Sequence, residues 1–360
     1  MLSPLPKTNY TPLNQFKKTM RQLVYTKTGS YDVLEVQEVP DLTPEKDELL
    51  IQVKAAGLNF ADILARKGQY PDGPKTPCVM GYEVSGVVAG VGSEIDKSWI
   101  GKEVIGLCRF KGQAEQVVLK EKQVYEKPAQ LSFEDAASIP VTYLTAWALL
   151  VAMGGLKKEE SVLIHNAGGG VGLAQLDIAK HIGATTYGTA SERKHEFLKE
   201  RGLDHPIDYR NKDWYDELMK LTDKRGVELI TDPLGGDEWK KSYRALRATG
   251  RMGMFGISTA SVNERGGLKA KFELIKTVLK MPTFKPLSLL DKNRGVYGVN
   301  LGHLWHESEK AASWMNAILD GVETGWVRPH VDKTFTLEEA GEAHRYIEER
   351  RNIGKVVLVG

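Results

Sequence analysis

Residues 162–172 read Val-Leu-Ile-His-Asn-Ala-Gly-Gly-Gly-Val-Gly, an apolar strand pattern that runs directly into a glycine-rich turn. The turn, Ala167-x-Gly169-x-x-Gly172, differs from the G-x-G-x-x-G fingerprint only in its first residue. Small residues let the chain turn tightly, bring backbone N–H groups to a pyrophosphate and seat the next helix against the strand. The helix N-terminus adds partial positive charge. The stretch therefore predicts a dinucleotide-binding turn, with a flexible loop as the alternative.

Strand and helix patterns alternate from this turn onward. The strands lie at 162–165, 185–189, 228–231 and 251–257, and the helices lie at 171–182, 192–201 and 237–247. Apolar strands separated by helices of about ten residues are typical of right-handed βαβ units with a parallel sheet. This part of the chain predicts an α/β, doubly wound parallel-sheet domain, and that context favours nucleotide binding over a flexible loop.

The end of the second strand indicates which dinucleotide binds. Dinucleotide sites that take NAD usually carry Asp or Glu there, about 20 residues beyond the turn, to bond the ribose 2′-OH. This chain has Ser191 at that position, followed by Arg193 and Lys194 as cations for a phosphate. Glu192 would repel a phosphate unless it faces away, which the helical geometry allows. The sequence predicts NADPH rather than NADH, the alternative being that the two cations are merely solvated.

The N-terminal half has a different secondary-structure pattern. Short strand patterns broken by Gly and Pro lie at 48–54, 83–91, 103–107 and 114–119, which predicts a mainly β domain. A short helix pattern at 60–66 follows Asn59, a residue type that often caps helices. The chain becomes helical from Ser132 and closes on a strand pattern at 355–359, which we expect to rejoin the first domain. Residues 1–20 read as a loose arm without a secretory signal pattern.

Composition excludes several classes of function. The chain has 360 residues, enough for two domains with a cleft. With 49 basic and 47 acidic residues it has no strong field to attract nucleic acid. Two cysteines, Cys78 and Cys108, are too few for a disulfide framework, so a reducing, cytoplasmic location is expected. No apolar stretch reaches the roughly 18 residues that a spanning helix needs.

Several further motifs carry a family resemblance over about Arg21 to Val359. They are Ala56-Gly-Leu-Asn-Phe-Ala-Asp62, Gly169-Gly-Val-Gly172, Gly188-Thr-Ala-Ser191 with Lys194-His-Glu196, His205-Pro-Ile-Asp-Tyr209, Asp232-Pro-Leu-Gly-Gly236, Asn293-Arg294 with Gly298, and Asn352-x-Gly354-Lys355. With these motifs the chain resembles the medium-chain dehydrogenase/reductase superfamily, in its zinc-independent quinone oxidoreductase branch. Within that branch it is most similar to the vesicle amine transport protein homologues.

The resemblance implies a GroES-like catalytic domain formed by 21–147 and 299–360, a Rossmann domain at 148–298, and a cleft that holds the nicotinamide. It also implies cofactor contacts: Asn59 and Thr145 near the nicotinamide, Gly168, Gly169, Gly170 and Val171 near the pyrophosphate, Ser191, Lys194 and Tyr209 around the 2′-phosphate, and Phe255 and Gly256 along the cofactor edge. The alternatives are a helix cap for Asn59, a core position for Thr145, and packing for Tyr209 and Phe255.

Zinc ligands are replaced at the positions that the resemblance identifies. Zinc-dependent relatives use Cys, His-Glu and Cys at the catalytic site, where this chain has Asn59, Tyr82-Glu83 and a position at or near Val141. Glu83 alone cannot hold a tetrahedral zinc, and two cysteines cannot build a four-cysteine structural site. We therefore predict no metal, and we interpret Cys78 and Cys108 as buried structural thiols.

Without zinc as a Lewis acid, alcohol oxidation is disfavoured and reduction of an activated acceptor remains. The primary hypothesis is hydride transfer from NADPH to a small-molecule quinone or α,β-unsaturated carbonyl. Hydrogen-bond donors for the developing oxyanion would be Tyr70, Tyr82 and the Asn59 amide, although packing is an alternative role for the tyrosines.

The competing hypothesis is a nucleotide-binding adaptor at a membrane or vesicle surface with little turnover. This hypothesis rests on segment 266–286, which contains apolar residues and five lysines: Lys269, Lys271, Lys276, Lys280 and Lys285. A lid or packing element with solvated lysines is the alternative for this segment.

The strand pattern at 295–300 also predicts a homodimer formed by edge-to-edge pairing, unless a loop covers that edge.

Overall fold

The computed structural model describes residues 19–258 and 268–360, and of 268–271, 273 and 274 it describes the backbone alone. Most of the predicted N-terminal arm at 1–20 lies outside the described residues. Thr19 and Met20 do not belong to an arm, because they begin the first strand and pair with Pro40 and Val39.

The first part of the chain is mainly β, as predicted. Its strands are β1 (Thr19–Tyr25), β2 (Leu34–Pro40), β3 (Glu48–Leu58), β4 (Cys78–Val79), β5 (Glu83–Val91), β6 (Glu103–Leu107), β7 (Gln116–Lys120) and β8 (Val124–Glu126). Its helices are α1 (Phe60–Arg66), α2 (Phe133–Ala137) and α3 (Pro140–Trp147). A π-helical turn, Ala148–Ala152, continues α3, so the hydrogen-bond pattern of this apolar helical stretch changes midway.

The second part alternates strands and helices and then returns to the first. Its strands are β9 (Ser161–Ile164), β10 (Thr185–Ala190), β11 (His205–Asp208), β12 (Val227–Asp232), β13 (Leu246–Met254), β14 (Gly295–Gly298), β15 (Val331–Thr336) and β16 (Lys355–Val359). Its helices are α4 (Gly170–Ile182), α5 (His195–Glu200), α6 (Trp214–Leu221), α7 (Asp237–Ala245), α8 (Leu268–Leu279), α9 (Pro286–Lys292), α10 (Ser308–Glu323) and α11 (Ala340–Glu348).

Two sheet systems confirm the predicted fold class. A six-stranded parallel sheet has the order β11-β10-β9-β12-β13-β14, and a mostly antiparallel sheet has the order β15-β16-β3-β5-β6-β8, with β7 paired to β3. The C-terminal strand β16 runs antiparallel to β3, which brings both ends of the chain into one domain. Strand order in the parallel sheet reverses between β9 and β12, and ligands of doubly wound folds bind at such a point.

Helix α10 packs where the two predicted domains meet. Its Met315, Ile318 and Val322 are buried in one core cluster with Leu144 of α3 and with Val162 and Leu173. The apolar residues of α10 recur at helical spacing and therefore form one stripe, which this cluster buries. The domain boundaries stay predictions. No helix within the described ranges has the length and apolarity needed to cross a bilayer.

Candidate active site

A cleft of about 1550 Å³ runs along the carboxyl ends of the parallel strands and into the catalytic domain. Its volume exceeds the range of roughly 300–1,000 Å³ that is typical of small-ligand pockets, so it has room for a dinucleotide and a second molecule. The cleft brings together most of the predicted site residues: Asn59, Tyr70, Tyr82, Thr145, Gly169, Gly170, Val171, Lys194, Tyr209, Phe255 and Gly256.

The glycine turn lies at the N-terminus of α4. Gly169 is the N-cap of that helix, and no side chain caps the first-turn N–H groups within the described residues. A Cβ on Gly172 would lie 2.4 Å from the Asn166 carbonyl oxygen, so only glycine lets the helix pack this closely against the turn. Backbone donors that face a cleft at a helix N-terminus suit a pyrophosphate, and the residues present fit a bound dinucleotide there.

Gly168 and Ser191 are the two predicted contacts that do not line the cleft. The side chain of Lys194 covers Gly168, whose carbonyl oxygen accepts a 2.9 Å hydrogen bond from the Gly354 N–H. Ser191 is 6% exposed, and its carbonyl oxygen accepts a hydrogen bond from the Lys194 N–H. Both residues stay predicted cofactor contacts.

A cationic pocket surrounds Tyr209 at one end of the cleft. The Arg350 guanidinium donates a 3.1 Å hydrogen bond to the Tyr209 hydroxyl. Burial tends to raise the pKa of Tyr209, but hydrogen bonds and charges of Arg350 and Arg210 outweigh it and lower that pKa. Burial, reinforced by Arg193, Arg210 and Arg350, lowers the pKa of Lys194 to about 8. These cations repel one another, and a bound anion would relieve that repulsion, so this pocket is suited to a phosphate.

The backbone of the C-terminal segment also contacts these cations. Arg193 donates to the carbonyl oxygens of Arg350 and Arg351 at 2.6 and 2.7 Å, and the Lys194 ammonium donates to the carbonyl oxygen of Asn352. Arg193, predicted as a phosphate partner, is therefore engaged by the backbone, whereas Lys194 also lines the cleft.

The Lys194 pKa makes NADPH affinity pH-dependent. A bound phosphate would favour charged Lys194 and raise its pKa, so this part of the binding free energy is fully present below about pH 8 and is lost as the pH rises further. At pH 9 about one lysine in ten is still charged in the free protein, so we expect the Kd for NADPH to be about tenfold higher than at pH 7. Titrations at pH 7, 8 and 9 check this, with NADH as the control. If the Kd for NADPH changes with pH only as much as the Kd for NADH does, the assignment of Lys194 to the 2′-phosphate is contradicted.

A buried hydrogen-bonded cluster lies at the other end of the cofactor turn. The Asn59 side chain donates to Glu83 Oε1 at 2.9 Å and accepts from the Lys355 ammonium at 2.6 Å. Lys355 also pairs with Glu83 Oε1 at 2.5 Å, and the Val141 N–H donates to Glu83 Oε2 at 2.7 Å. The Asn59 amide is therefore already committed within the protein.

An aromatic and apolar wall completes the cleft beyond Asn59. The Tyr70 and Tyr82 rings meet edge to face with centroids 6.5 Å apart. Within the described residues the buried Tyr82 hydroxyl makes no hydrogen bond of ordinary length. Burial, with Asp62 and Tyr70 nearby, raises the pKa of Tyr82 above its usual value, so the phenol stays protonated. It can donate a hydrogen bond to a ligand.

Sequence reasoning missed two cleft residues, Arg350 and Lys355. Lys355 belongs to the motif Asn352-x-Gly354-Lys355, but nothing local assigns that motif a role. Its contacts with Asn59 and Glu83 span 296 and 272 sequence positions. The predicted structural thiols are both free: Cys108 is buried and lines the cleft, whereas Cys78 is only half-buried.

Comparison with known proteins identifies the family of this two-domain arrangement. Residues 201–358 match the family model described as zinc-binding dehydrogenase, and residues 45–129 match the alcohol dehydrogenase GroES-like domain. The synaptic vesicle membrane protein VAT-1 homolog of Danio rerio is 38% identical over 94% of this chain and 70% of that relative. The chain belongs to the medium-chain dehydrogenase/reductase superfamily. A quinone oxidoreductase-like protein 2 of Mus musculus, 30% identical over 90% of the chain and 88% of its own length, places it in the quinone oxidoreductase-like branch.

Solved structures of the superfamily have the same fold as this chain. The human VAT-1 homolog-like protein superimposes with a TM-score of 0.82 at 29% identity, covering 95% of this chain and 98% of the other. The CurK enoyl reductase has a TM-score of 0.81 at 28% identity, with coverage of 95% and 99%. A mycobacterial protein in complex with NADPH has a TM-score of 0.81 at 28% identity, with coverage of 95% and 100%. The chain is thus a member of an oxidoreductase superfamily, with its GroES-like and Rossmann domains.

Zinc, which the description of one family model implies, does not fit the donor set of this chain. Glu83 is the one carboxylate at the positions equivalent to zinc ligands, and both its oxygens accept hydrogen bonds from Lys355, Asn59 or Val141. Across 19–258 and 268–360, no group of three or more His, Cys, Asp or Glu side chains is arranged to hold a metal. We assign no step to zinc.

Proposed function

We propose that this protein is a zinc-independent oxidoreductase that transfers a hydride from NADPH to a quinone or an α,β-unsaturated carbonyl. The observation that carries the proposal is the cationic pocket of Lys194, Arg210 and Arg350 around Tyr209. It would hold a 2′-phosphate, which NADPH has and NADH lacks. The relatives named quinone oxidoreductase and enoyl reductase, and the neighbour solved with NADPH, support the same reading.

The residues of the cleft divide the chemistry between them. When bound, NADPH would supply the hydride, and the first turn of α4 would hold its pyrophosphate. Leu107, Val299, Leu301 and Trp305 line the acceptor end and would exclude water from the reacting atoms. As the hydride adds to carbon, charge grows on the acceptor oxygen, which the Tyr82 hydroxyl would stabilise by hydrogen bonding. A proton from water completes the two-electron reduction.

The test of the function is NADPH oxidation by purified protein across a panel of quinones, enals and enones. We expect turnover with at least one of these classes and a higher kcat/KM with NADPH than with NADH. Protein that binds NADPH but oxidises it with no member of the panel would contradict the proposal. The two free thiols suit a reducing compartment, and we propose the cytoplasm as its location.

Tyr82→Phe tests the proposed oxyanion donor. Removing one such donor typically lowers kcat by about 10²-fold, and we expect a decrease of that order with the NADPH Kd unchanged. Steady-state kinetics with the best acceptor measure this effect. Tyr125→Phe is the control, because Tyr125 is half-buried outside the cleft. An unchanged kcat in Tyr82→Phe would show that Tyr82 is a packing residue.

We also propose a homodimer through the β14 edge of the parallel sheet. Strand β14 ends the sheet order, and the neighbouring helix α9 exposes Leu287 and Leu290 at 78% and 72%. An unpaired edge beside exposed leucines is suited to a second copy. Light scattering should give a mass of twice 40.0 kDa, and a monomer at micromolar concentration would contradict the proposal.

A second candidate function is binding to a membrane or vesicle surface, as a nucleotide-dependent adaptor. Part of segment 266–286 lies outside the described residues, namely 266–267 and the side chains of Lys269 and Lys271. In the described part, α8 exposes Phe272, Ile275, Val278 and Leu279 in the same helix as Lys276. This combination favours an anionic lipid surface. Co-sedimentation with phosphatidylserine vesicles but not with phosphatidylcholine vesicles would support it, and sedimentation with neither would remove it.

A further inference from the structure

Lys355 is a buried cation at the start of β16 that the proposed hydride transfer leaves unused. It is 4% exposed, lines the cleft, and lies next to Gly354, which bonds the cofactor turn. Burying an ammonium group is costly unless its position is fixed by partners. Lys355 therefore requires a structural or a ligand-binding explanation.

The partners of Lys355 hold its ammonium group in one place. Nζ donates to Asn59 Oδ1 at 2.6 Å and to Glu83 Oε1 at 2.5 Å. Glu83 is itself held by N–H groups of Asn59 and Val141. An ammonium group has three N–H donors, and within the described residues two of them have these partners. The third is available to a molecule in the cleft.

The stem of Lys355 passes the first turn of α4. Its Cδ lies 3.6 Å from the point where Gly170 would carry a Cβ, and its Nζ reaches Asn59. If a pyrophosphate were held at that turn, the next chemical group of the dinucleotide would be the ribose on the nicotinamide side. The two hydroxyl groups of that ribose can accept hydrogen bonds.

We propose that Lys355 donates a hydrogen bond to the nicotinamide-side ribose of the bound dinucleotide, with Glu83 as its fixed counter-ion. The proposal rests on the proposed function only in requiring that the cleft bind a dinucleotide. It does not depend on the 2′-phosphate pocket, which lies around Tyr209 at the opposite end. Lys355 is thus a cofactor-binding residue that acts equally on NADPH and NADH.

The experiment compares wild-type protein with Glu83→Gln/Lys355→Met, because neither protein contains an unpaired buried charge at this position. Calorimetric titration uses three probes: NADPH, 2′-phospho-ADP-ribose, which lacks the nicotinamide ring, and 2′-phospho-ADP, which keeps both phosphates of the pyrophosphate but lacks that ring and its ribose. Loss of a hydrogen bond from a charged donor should raise the Kd about tenfold or more. We expect this increase for NADPH and for 2′-phospho-ADP-ribose, and an unchanged Kd for 2′-phospho-ADP.

Other outcomes overturn the inference. Equal weakening of all three probes would show that Lys355 acts on the pyrophosphate or on the fold and not on the ribose, and no weakening would show that it does not touch the ligand. Weakening of NADPH alone would assign the contact to the nicotinamide ring instead. The ratio of Kd values between the two proteins should be the same for NADH as for NADPH, and the same for ADP-ribose as for 2′-phospho-ADP-ribose. The test therefore remains valid even if the protein does not prefer NADPH to NADH. Wild-type protein that binds no dinucleotide would overturn both proposals.

Discussion

Lys194→Ala is expected to raise the Kd for NADPH about 100-fold and to leave the Kd for NADH within about twofold. Lys194 is 6% exposed and lines the cleft beside Arg210 and Arg350, so its contact with a phosphate would be largely shielded from water. Buried charge-assisted hydrogen bonds contribute about 1.5–3 kcal/mol, which corresponds to a change of roughly 10- to 100-fold in affinity. Fluorescence titration of both cofactors measures the two Kd values.

Lys199→Ala is the matched control for this prediction. It removes the same charge from helix α5, which begins directly after Lys194, but Lys199 is exposed and does not line the cleft. We expect it to change neither Kd by more than about twofold, since exposed charges are screened by solvent. Equal losses of NADPH and NADH affinity in Lys194→Ala would show that Lys194 supports the turn rather than a 2′-phosphate.

Lys355→Met as a single substitution is expected to lower the free energy of unfolding by about 3–5 kcal/mol. The side chain of Glu83 is fully buried, and Lys355 is its cationic partner at 2.5 Å. Removing one member of a buried ion pair leaves an uncompensated charge in a medium of low polarity, whereas removing both members avoids that cost. Urea unfolding followed by circular dichroism measures the change. The double variant Glu83→Gln/Lys355→Met should regain most of the free energy of unfolding that Lys355→Met loses.

The exposed ion pair between Lys46 and Glu94 is the control for stability. Its atoms lie 2.9 Å apart, but its side chains are 69% and 55% exposed. Solvent screens such pairs, so Lys46→Met should leave the unfolding transition within experimental error. If Lys355→Met is no more destabilising than Lys46→Met, then the cluster around Glu83 does not depend on the lysine charge.

The fold class was predictable because its signals are local. The strand at 162–165, the glycine turn and the helix up to Gly183 lie within about twenty positions, and hydrophobic periodicity reports each of them directly. The structure has β9 at Ser161–Ile164 and α4 at Gly170–Ile182, which confirms the pattern. Hydrophobic periodicity indicates that a helix such as α10 has a buried face, but it does not indicate which residues cover that face.

The sequence by itself determined a Rossmann turn, a mainly β partner domain, and Lys194 and Tyr209 as candidates for the adenosine end. Only the tertiary structure decided that Arg350 and Lys355 join the site. Lys355 reaches it because β16 pairs with β3, next to Asn59 and Glu83, which lie 296 and 272 positions earlier in the chain. Arg350 reaches it through its contact with Tyr209, which lies 141 positions earlier. Local patterns specify each element, whereas the side chains that share a ligand depend on how distant elements pack, which no local pattern encodes.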